Sequence, residues 1–234
     1  MPIAKGQKQA RGVARREQIL DAALDAFAAE GYRATTLAKV AARVGLTEAG
    51  VLHHFSSKAA LLAGVLRYRD DIDPDAVARV AGDDVVQAVR RMADLARILL
   101  EHPRLMRFDA VVGGESVAEG GVPFEHFRAR LHDAREALSR HLRAAAKTGA
   151  VRSDIDADLI AGEVIAFMDG VQTQWLFDPD AIDLQRMYRH YFDQLADRLA
   201  PIASEGSPDR IAHDPAQTTQ RQRTDSPDQP EALG

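Results

Sequence analysis

The 234-residue sequence predicts an all-α fold, with a three-helix head at the N-terminus and a larger helical body behind it. Three observations carry this. Apolar residues recur at three- and four-residue spacing along most of the chain, and no useful stretch alternates as a strand would. Alanine is abundant while aromatics make up only 6% of residues, a composition that suits helices better than a β-sandwich. Glycine and proline punctuate the periodic stretches, at Gly31, Gly45, Pro103, Gly149 and Pro179.

Bulk composition narrows the function classes. Hydrophobic residues are 46% of the chain, which excludes wholesale disorder. No run of 18 apolar residues exists, so no transmembrane helix and no membrane partner are expected. The N-terminus lacks the apolar core of a secretory signal. Cysteine is absent, which excludes disulfides, thiolate metal sites and a cysteine nucleophile, and suits a reducing cytoplasm. The net charge of −5 is unevenly placed: residues 1–60 carry nine Lys and Arg against five Asp and Glu, a net +4, and the remainder carries −9. A locally basic head on an acidic body is compatible with phosphate binding.

Residues 1–13 contain Pro2, Gly6 and Gly12 and five basic residues lie between Lys5 and Arg16 before any acidic one, so a flexible basic arm is expected. It is either a solvated tail or an arm that touches phosphates or the minor groove. A first helix over 14–30 places Ile19, Ala23 and Phe27 on one stripe, and Gly31 stops it. Thr36 then suits an N-cap, with Leu37, Val40, Ala41 and Val44 following at helical spacing. Gly45 suits the left-handed position after that helix. Thr47 caps another short helix to about Phe55, with Val51 and Phe55 on one face. Helix, tight turn with glycine, helix is the DNA-binding helix-turn-helix pattern. Its second helix presents Glu48, Ala49, Gly50, His53 and His54 away from the core. A fourth helix starts after Ser57, carries Leu61, Leu62, Val65 and Leu66, and ends before Asp73-Pro74.

The body reads as helices over 83–101, 104–112, from Pro123 to about Lys147, Asp154–Phe177 and Asp180–Leu199. A glycine loop is expected between Gly113 and Gly121; it lacks the Lys-Ser/Thr pair of a phosphate-binding loop. Residues 201–234 hold five of the ten prolines and few large apolar side chains, and disorder is expected there. The organisation is therefore an arm over 1–13, a helix-turn-helix domain over 14–70, a helical domain over 75–200, and a tail over 201–234.

Residues 14–66 resemble the N-terminal domain of the TetR (tetracycline-repressor-like) family of transcriptional regulators. The likeness rests on Gly31-Tyr32, Thr35-Thr36, Val40-Ala41, Gly45-Leu46-Thr47, His54-Phe55 and Ser57-Lys58 followed by Leu61-Leu62. Asp169-Gly170 and Gln174-Trp175-Leu176 before Asp178-Pro179 also resemble regulatory domains of some such proteins. The resemblance implies that Thr36 and Lys39 contact phosphates, that Thr47 caps the reading helix and touches the backbone, and that Lys58 with its helix N-terminus forms an anion site. The reading helix would use His53 and His54 as donors to guanine or thymine and Glu48 as an acceptor from cytosine N4. Two positions depart from the family pattern: Leu52 stands where many members carry a phosphate-donating tyrosine, and Gly50 where many carry threonine. Leu52 can pack, and Gly50 lets the helix backbone approach DNA. Adjacent histidines on a helix point about 100° apart and chelate one metal poorly, so no metal and no cofactor are expected.

The last two body helices carry wide apolar arcs. Ordinary core packing is one reading. The family reading is a dimer bundle using Val164, Phe167, Val171, Leu184, Met187, Tyr191 and Leu195, and a two-fold dimer matches an inverted-repeat operator in double-stranded DNA. A small-molecule pocket would lie inside the body, with Met106, Phe108, Phe127, Met168, Gln172 and Trp175 as candidates and His126 as a polar contact. The expected function is a repressor released from its operator by a small molecule. The alternatives are an enzyme with a helical body and a DNA-binding protein without an effector. No HExxH, GxSxG or phosphate loop supports the enzyme.

Overall fold

The computed structural model of the chain describes the backbone of residues 5–72 and 84–201, and side chains over 10–70 and 84–201. Among these residues there are helices and turns and no strand. No described helix is long and apolar enough to cross a membrane. The expected arm before Lys5, the helix stop at Asp73-Pro74 and the tail after Pro201 lie outside the described residues.

Helix α1 spans Lys5–Ala34, so the expected arm is helical from Lys5 onward. The local sequence KGQKQAR is rich in straight-chain helix formers, which outweigh Gly6 and Gly12. Every described residue from Ala10 to Gln18 is exposed, and Ile19 is the first buried one. Gly31 is not a terminus but a break, with φ 80° and ψ 167°, after which one more turn follows. Helices α2 (Leu37–Arg43) and α3 (Glu48–His54) are both capped by threonine: the hydroxyl of Thr36 accepts from Lys39 N and that of Thr47 from Gly50 N. Gly45 adopts φ 65° in the turn between them, where only a residue without Cβ is unstrained. Helix α4 spans Lys58–Ile72 and opens with Ser57 Oγ accepting from Ala60 N at 3.1 Å.

The head core joins Ile19, Leu24 and Phe27 of α1 to Val40, Val51, Phe55, Leu61 and Leu62, all buried. It also takes in Leu105, Phe108 and Val112 from body helix α7 (Pro103–Glu119). That helix runs through Gly113-Gly114, where a loop was expected. Each glycine costs about 1 kcal/mol relative to alanine in a helix. Burial of Val112 and Ser116 on either side offsets this, and Ser116 Oγ donates to Gly113 O at 2.7 Å. The turn is confined to Gly120 and Gly121, both at positive φ.

The stretch expected as one helix over 83–101 is two, α5 (Val85–Arg91) and α6 (Leu95–Glu101), joined by a 3-10 turn at Met92–Asp94. Helix α8 spans Gly121–Thr148 and ends at Gly149, φ 75°. Helices α9 (Ala157–Phe177) and α10 (Leu184–Leu199) start at Asp156 and Asp183, whose carboxylates cap them. The body core is built around Tyr188, Phe192 and Leu199 of α10, packed on Val89, Leu142, Ile160 and Val164.

Candidate nucleic-acid interface

Helix α3 is anchored through Val51, which is fully buried, while Glu48, Ala49, Leu52 and His53 face solvent. Gly50 and His54 are half-buried. Leu52 does not pack: it is 40% exposed, because the single buried turn of α3 is filled by Val51 and Phe55. The rings of His53 and His54 meet edge to face with centroids 5.5 Å apart. Burial lowers the His54 pKa below its ordinary value, and the charges of His53, Arg15 and Arg16 add to that effect.

Cations around α3 are partly engaged within the head. Lys39 pairs with the Glu30 carboxylate, and Arg43 Nη2 lies 3.5 Å from the same group. The hydrogen bond from Lys39 holds the Glu30 carboxyl below its usual range. A phosphate at Lys39 therefore competes with Glu30. Arg15 donates to Val44 O at 3.2 Å and tethers the end of α2, and the Arg16 guanidinium lies 4.6 Å from the Phe55 ring centroid. Lys58 is half-buried and engaged within the head, so a phosphate there competes with its partners. Its ammonium turns inward, donating to Arg33 O at 3.1 Å and lying 4.5 Å from the Tyr32 ring centroid, and burial lowers its pKa. Neither Arg15 nor Arg16 was expected to be tethered; their partners are 29 and 39 residues away in sequence, beyond any local pattern.

The head matches residues 19–65 to the family model of bacterial regulatory proteins of the tetR family, and residues 122–200 match the C-terminal model of BetI-type transcriptional repressors. The chain belongs to the TetR family. The HTH-type transcriptional regulator TtgR of Pseudomonas putida is 26% identical over 194 residues, 80% of this chain and 92% of its own. SmeT, the repressor of the Stenotrophomonas maltophilia multidrug efflux pump SmeDEF, superposes with a TM-score of 0.64 at 27% identity, over 80% of this chain and 91% of SmeT. A SmeT–triclosan complex superposes with a TM-score of 0.68. A TetR regulator from Chloroflexus aurantiacus shares the fold, with a TM-score of 0.72 at 23% identity over 82% of this chain and all of that one.

In this TetR-family regulator the expected pocket residues divide between two cores. Met106 and Phe108 are two apart on α7 and point to opposite sides. Met106 joins the body core; Phe108 is fully buried in the head core and packs on Phe127 at 6.5 Å between ring centroids. His126 lies with Nε2 3.2 Å from Asp70 Oδ2, without the alignment of a hydrogen bond. Met168 and Trp175 pack on the body core, and Gln172 Nε2 donates to the Tyr188 hydroxyl at 2.9 Å. A cavity of about 240 Å³ opens elsewhere, between Tyr32, Leu62, Val112, Glu115 and Pro123, and contains none of the seven.

The dimer set is also divided. Val164, Val171, Leu184 and Leu195 are at most 2% exposed within one chain, so they serve its own core. They are spent because α10 packs on α5, α6 and α9 of the same chain. Phe167, Met187 and Tyr191 keep surface, with Phe167 stacked flat on Tyr191 at 3.9 Å between ring centroids. A polar network missed in the sequence links head to body: Asp109 of α7 accepts from Arg69 of α4, through Nε at 3.0 Å and through Nη2, and from Arg130 of α8 at 3.1 Å. Asp169 keeps an exposed edge, yet partial desolvation raises the pKa of its carboxyl, with Arg130 opposing, Asp109 adding to the rise and Arg69 opposing.

Proposed function

We propose that this TetR-family transcriptional regulator is a repressor that binds an inverted-repeat operator as a homodimer and leaves it when a small molecule occupies its body. The observation that carries the DNA-reading half is the outward face of α3: Glu48, Ala49 and His53 exposed on a helix pinned by Val51 and capped by Thr47. Such a helix fits a major groove with its N-terminal residues toward base edges. Thr36, Lys39, Thr47, Glu48, Gly50, His53 and His54 remain the proposed contact set. Lys58 is proposed instead as a support for the end of α1. Dimer contacts would come from the surface that α9 and α10 leave apolar, including Phe167, Met187, Tyr191, Leu159 and Phe177. The effector half is supported by the triclosan complex of SmeT. Its coupling is a population shift between head arrangements of different DNA affinity.

Selection from random duplexes at defined salt tests the reading. Recovery of an inverted repeat supports a symmetric dimer; recovery of no motif refutes sequence-specific reading. With an operator in hand, triclosan serves as the first effector probe. Trp175 fluorescence and operator release should change together if the body binds it.

A further inference from the structure

We propose that Glu115, on body helix α7, is a positioning residue for the DNA-reading head and sets the operator half-site spacing that the regulator accepts. The inference rests on the dimeric operator reading above. The Glu115 carboxylate accepts from the backbone N–H of Tyr32 at 2.7 Å, across 83 residues of sequence. That N–H is free for it because Gly31 breaks α1 at φ 80°. A Cβ on Gly31 would fall on the Glu115 carboxylate, so the glycine leaves room for the clamp.

The clamp is wired into the helix-turn-helix. Thr35, fully buried, donates from Oγ1 to Gly31 O at 2.7 Å, with Ala26 O also within reach at 3.2 Å. The next residue, Thr36, is the N-cap that starts α2. Lys58 at the start of α4 donates to Arg33 O, one residue past the clamped amide. Thus the strand of backbone that orients α2 and the start of α4 is held at Tyr32 by a side chain of the body.

Helix α7 also meets the head through buried Leu105, Phe108 and Val112, through Arg104, which pairs with Asp21 and Asp25 of α1, and through Asp109, which accepts from Arg69 of α4. Apolar contact resists separation but has no direction, so it permits small rotations. A charge-assisted hydrogen bond is directional. Arg104 and Asp109 make such bonds to α1 and α4 from the start and middle of α7, and Glu115, seven residues beyond Phe108 at the far end, adds the one that reaches the backbone leading into α2, where it bears on the angle at which the head leaves the body. In a two-fold dimer that angle sets the separation of the two reading helices, and therefore the half-site spacing. Neighbouring Arg33–Glu119 is an ion pair with Arg33 73% exposed, which adds little.

The test uses the full chain and the inverted repeat selected by the wild type, with spacers one base pair shorter and longer. Affinities are read by fluorescence anisotropy at fixed salt. The wild type should prefer its own spacing by about tenfold, the fold-change that one charge-assisted hydrogen bond can support. E115A should reduce that preference to about twofold or less. E115Q should keep most of it, since the amide oxygen still accepts from Tyr32. A wild-type spacing profile in E115A overturns the proposal. So does E115Q failing alongside E115A, which would trace the effect to lost negative charge near DNA. Should E115A fold poorly, amide exchange at Tyr32 in the wild type decides: a protected amide supports the clamp, and exchange at the free rate overturns it. Failure of the wild type to select any inverted repeat would instead refute the operator reading itself.

Discussion

Replacing Gly50 with alanine should stabilise the folded regulator and weaken its grip on DNA. Gly50 is the third residue of α3, and its N–H donates to the capping Thr47 hydroxyl at 3.1 Å, a bond that alanine keeps. A Cβ there would sit 3.5 Å from both Leu46 Cβ and Thr47 Oγ1, ordinary contact with nothing to displace. Its φ is not positive, so no strain opposes the change. The gain is the unfolded-chain entropy that alanine lacks, about 0.5–1 kcal/mol. For a chain of this size that raises the melting temperature by roughly 1–4 °C. A half-buried glycine at that cost on a reading helix fits close backbone approach, a trade of stability for function. The assay is thermal unfolding by circular dichroism beside operator binding by anisotropy. No stabilisation would refute the reading of the local geometry. Stabilisation with unchanged affinity would remove Gly50 from the contact set.

Phe108→Ala should cost about 3–5 kcal/mol, because the ring is fully buried between α7 and the head and leaves a cavity behind; a loss under about 1 kcal/mol in urea titration would place the ring at a yielding surface. Asp109→Asn should cost about 1–3 kcal/mol, since Arg69 and Arg130 lose the carboxylate they share; an unchanged unfolding midpoint would show that solvent replaces it. Operator affinity should rise as pH falls from 7.5 to 5.5. His54 is held below its ordinary 6.5 in the free protein by burial first, and phosphates would favour its charged form, so binding takes up a proton. His54→Gln should flatten that slope; an equal slope in the variant would assign the proton elsewhere. The stability of the free protein has the opposite sign. The unfolded chain binds the His54 proton more readily, so this contribution is lost as pH falls through 6.5.

Much of the head was legible because its signals are local. Thr36 and Thr47 cap helices within three residues, Gly45 turns on its own backbone angle, and Val51 with Phe55 marks one face. The helix-turn-helix follows from that spacing, and the family resemblance rests on the particular residues at those positions. Body helices were legible in approximate position, although the one expected over 83–101 is two, α5 and α6. Their ends were misplaced where long-range packing overrode a local preference. Gly113-Gly114 reads as a loop by propensity, yet burial of Val112 and Ser116 carries α7 across it. Lys5 to Val13 reads as an arm because nothing there is apolar in period, yet helix formers alone extend α1.

The sequence by itself determined that this chain is helical and that it carries a helix-turn-helix with Glu48, Ala49 and His53 outward on α3, because those properties depend on neighbours within one or two turns; Leu52, expected to pack, is exposed, and Gly50 and His54 are half-buried. Tertiary structure alone decided the partners. It turned Lys58 inward to Arg33 and Tyr32, placed Phe108 in the head and Met106 in the body, and spent Val164, Val171, Leu184 and Leu195 on the chain's own core. It also brought Glu115 to Tyr32 and Asp109 between two arginines. An apolar arc or a charged side chain specifies what kind of neighbour it needs, not which one. That choice is made only when helices distant in sequence compete to cover the same surface.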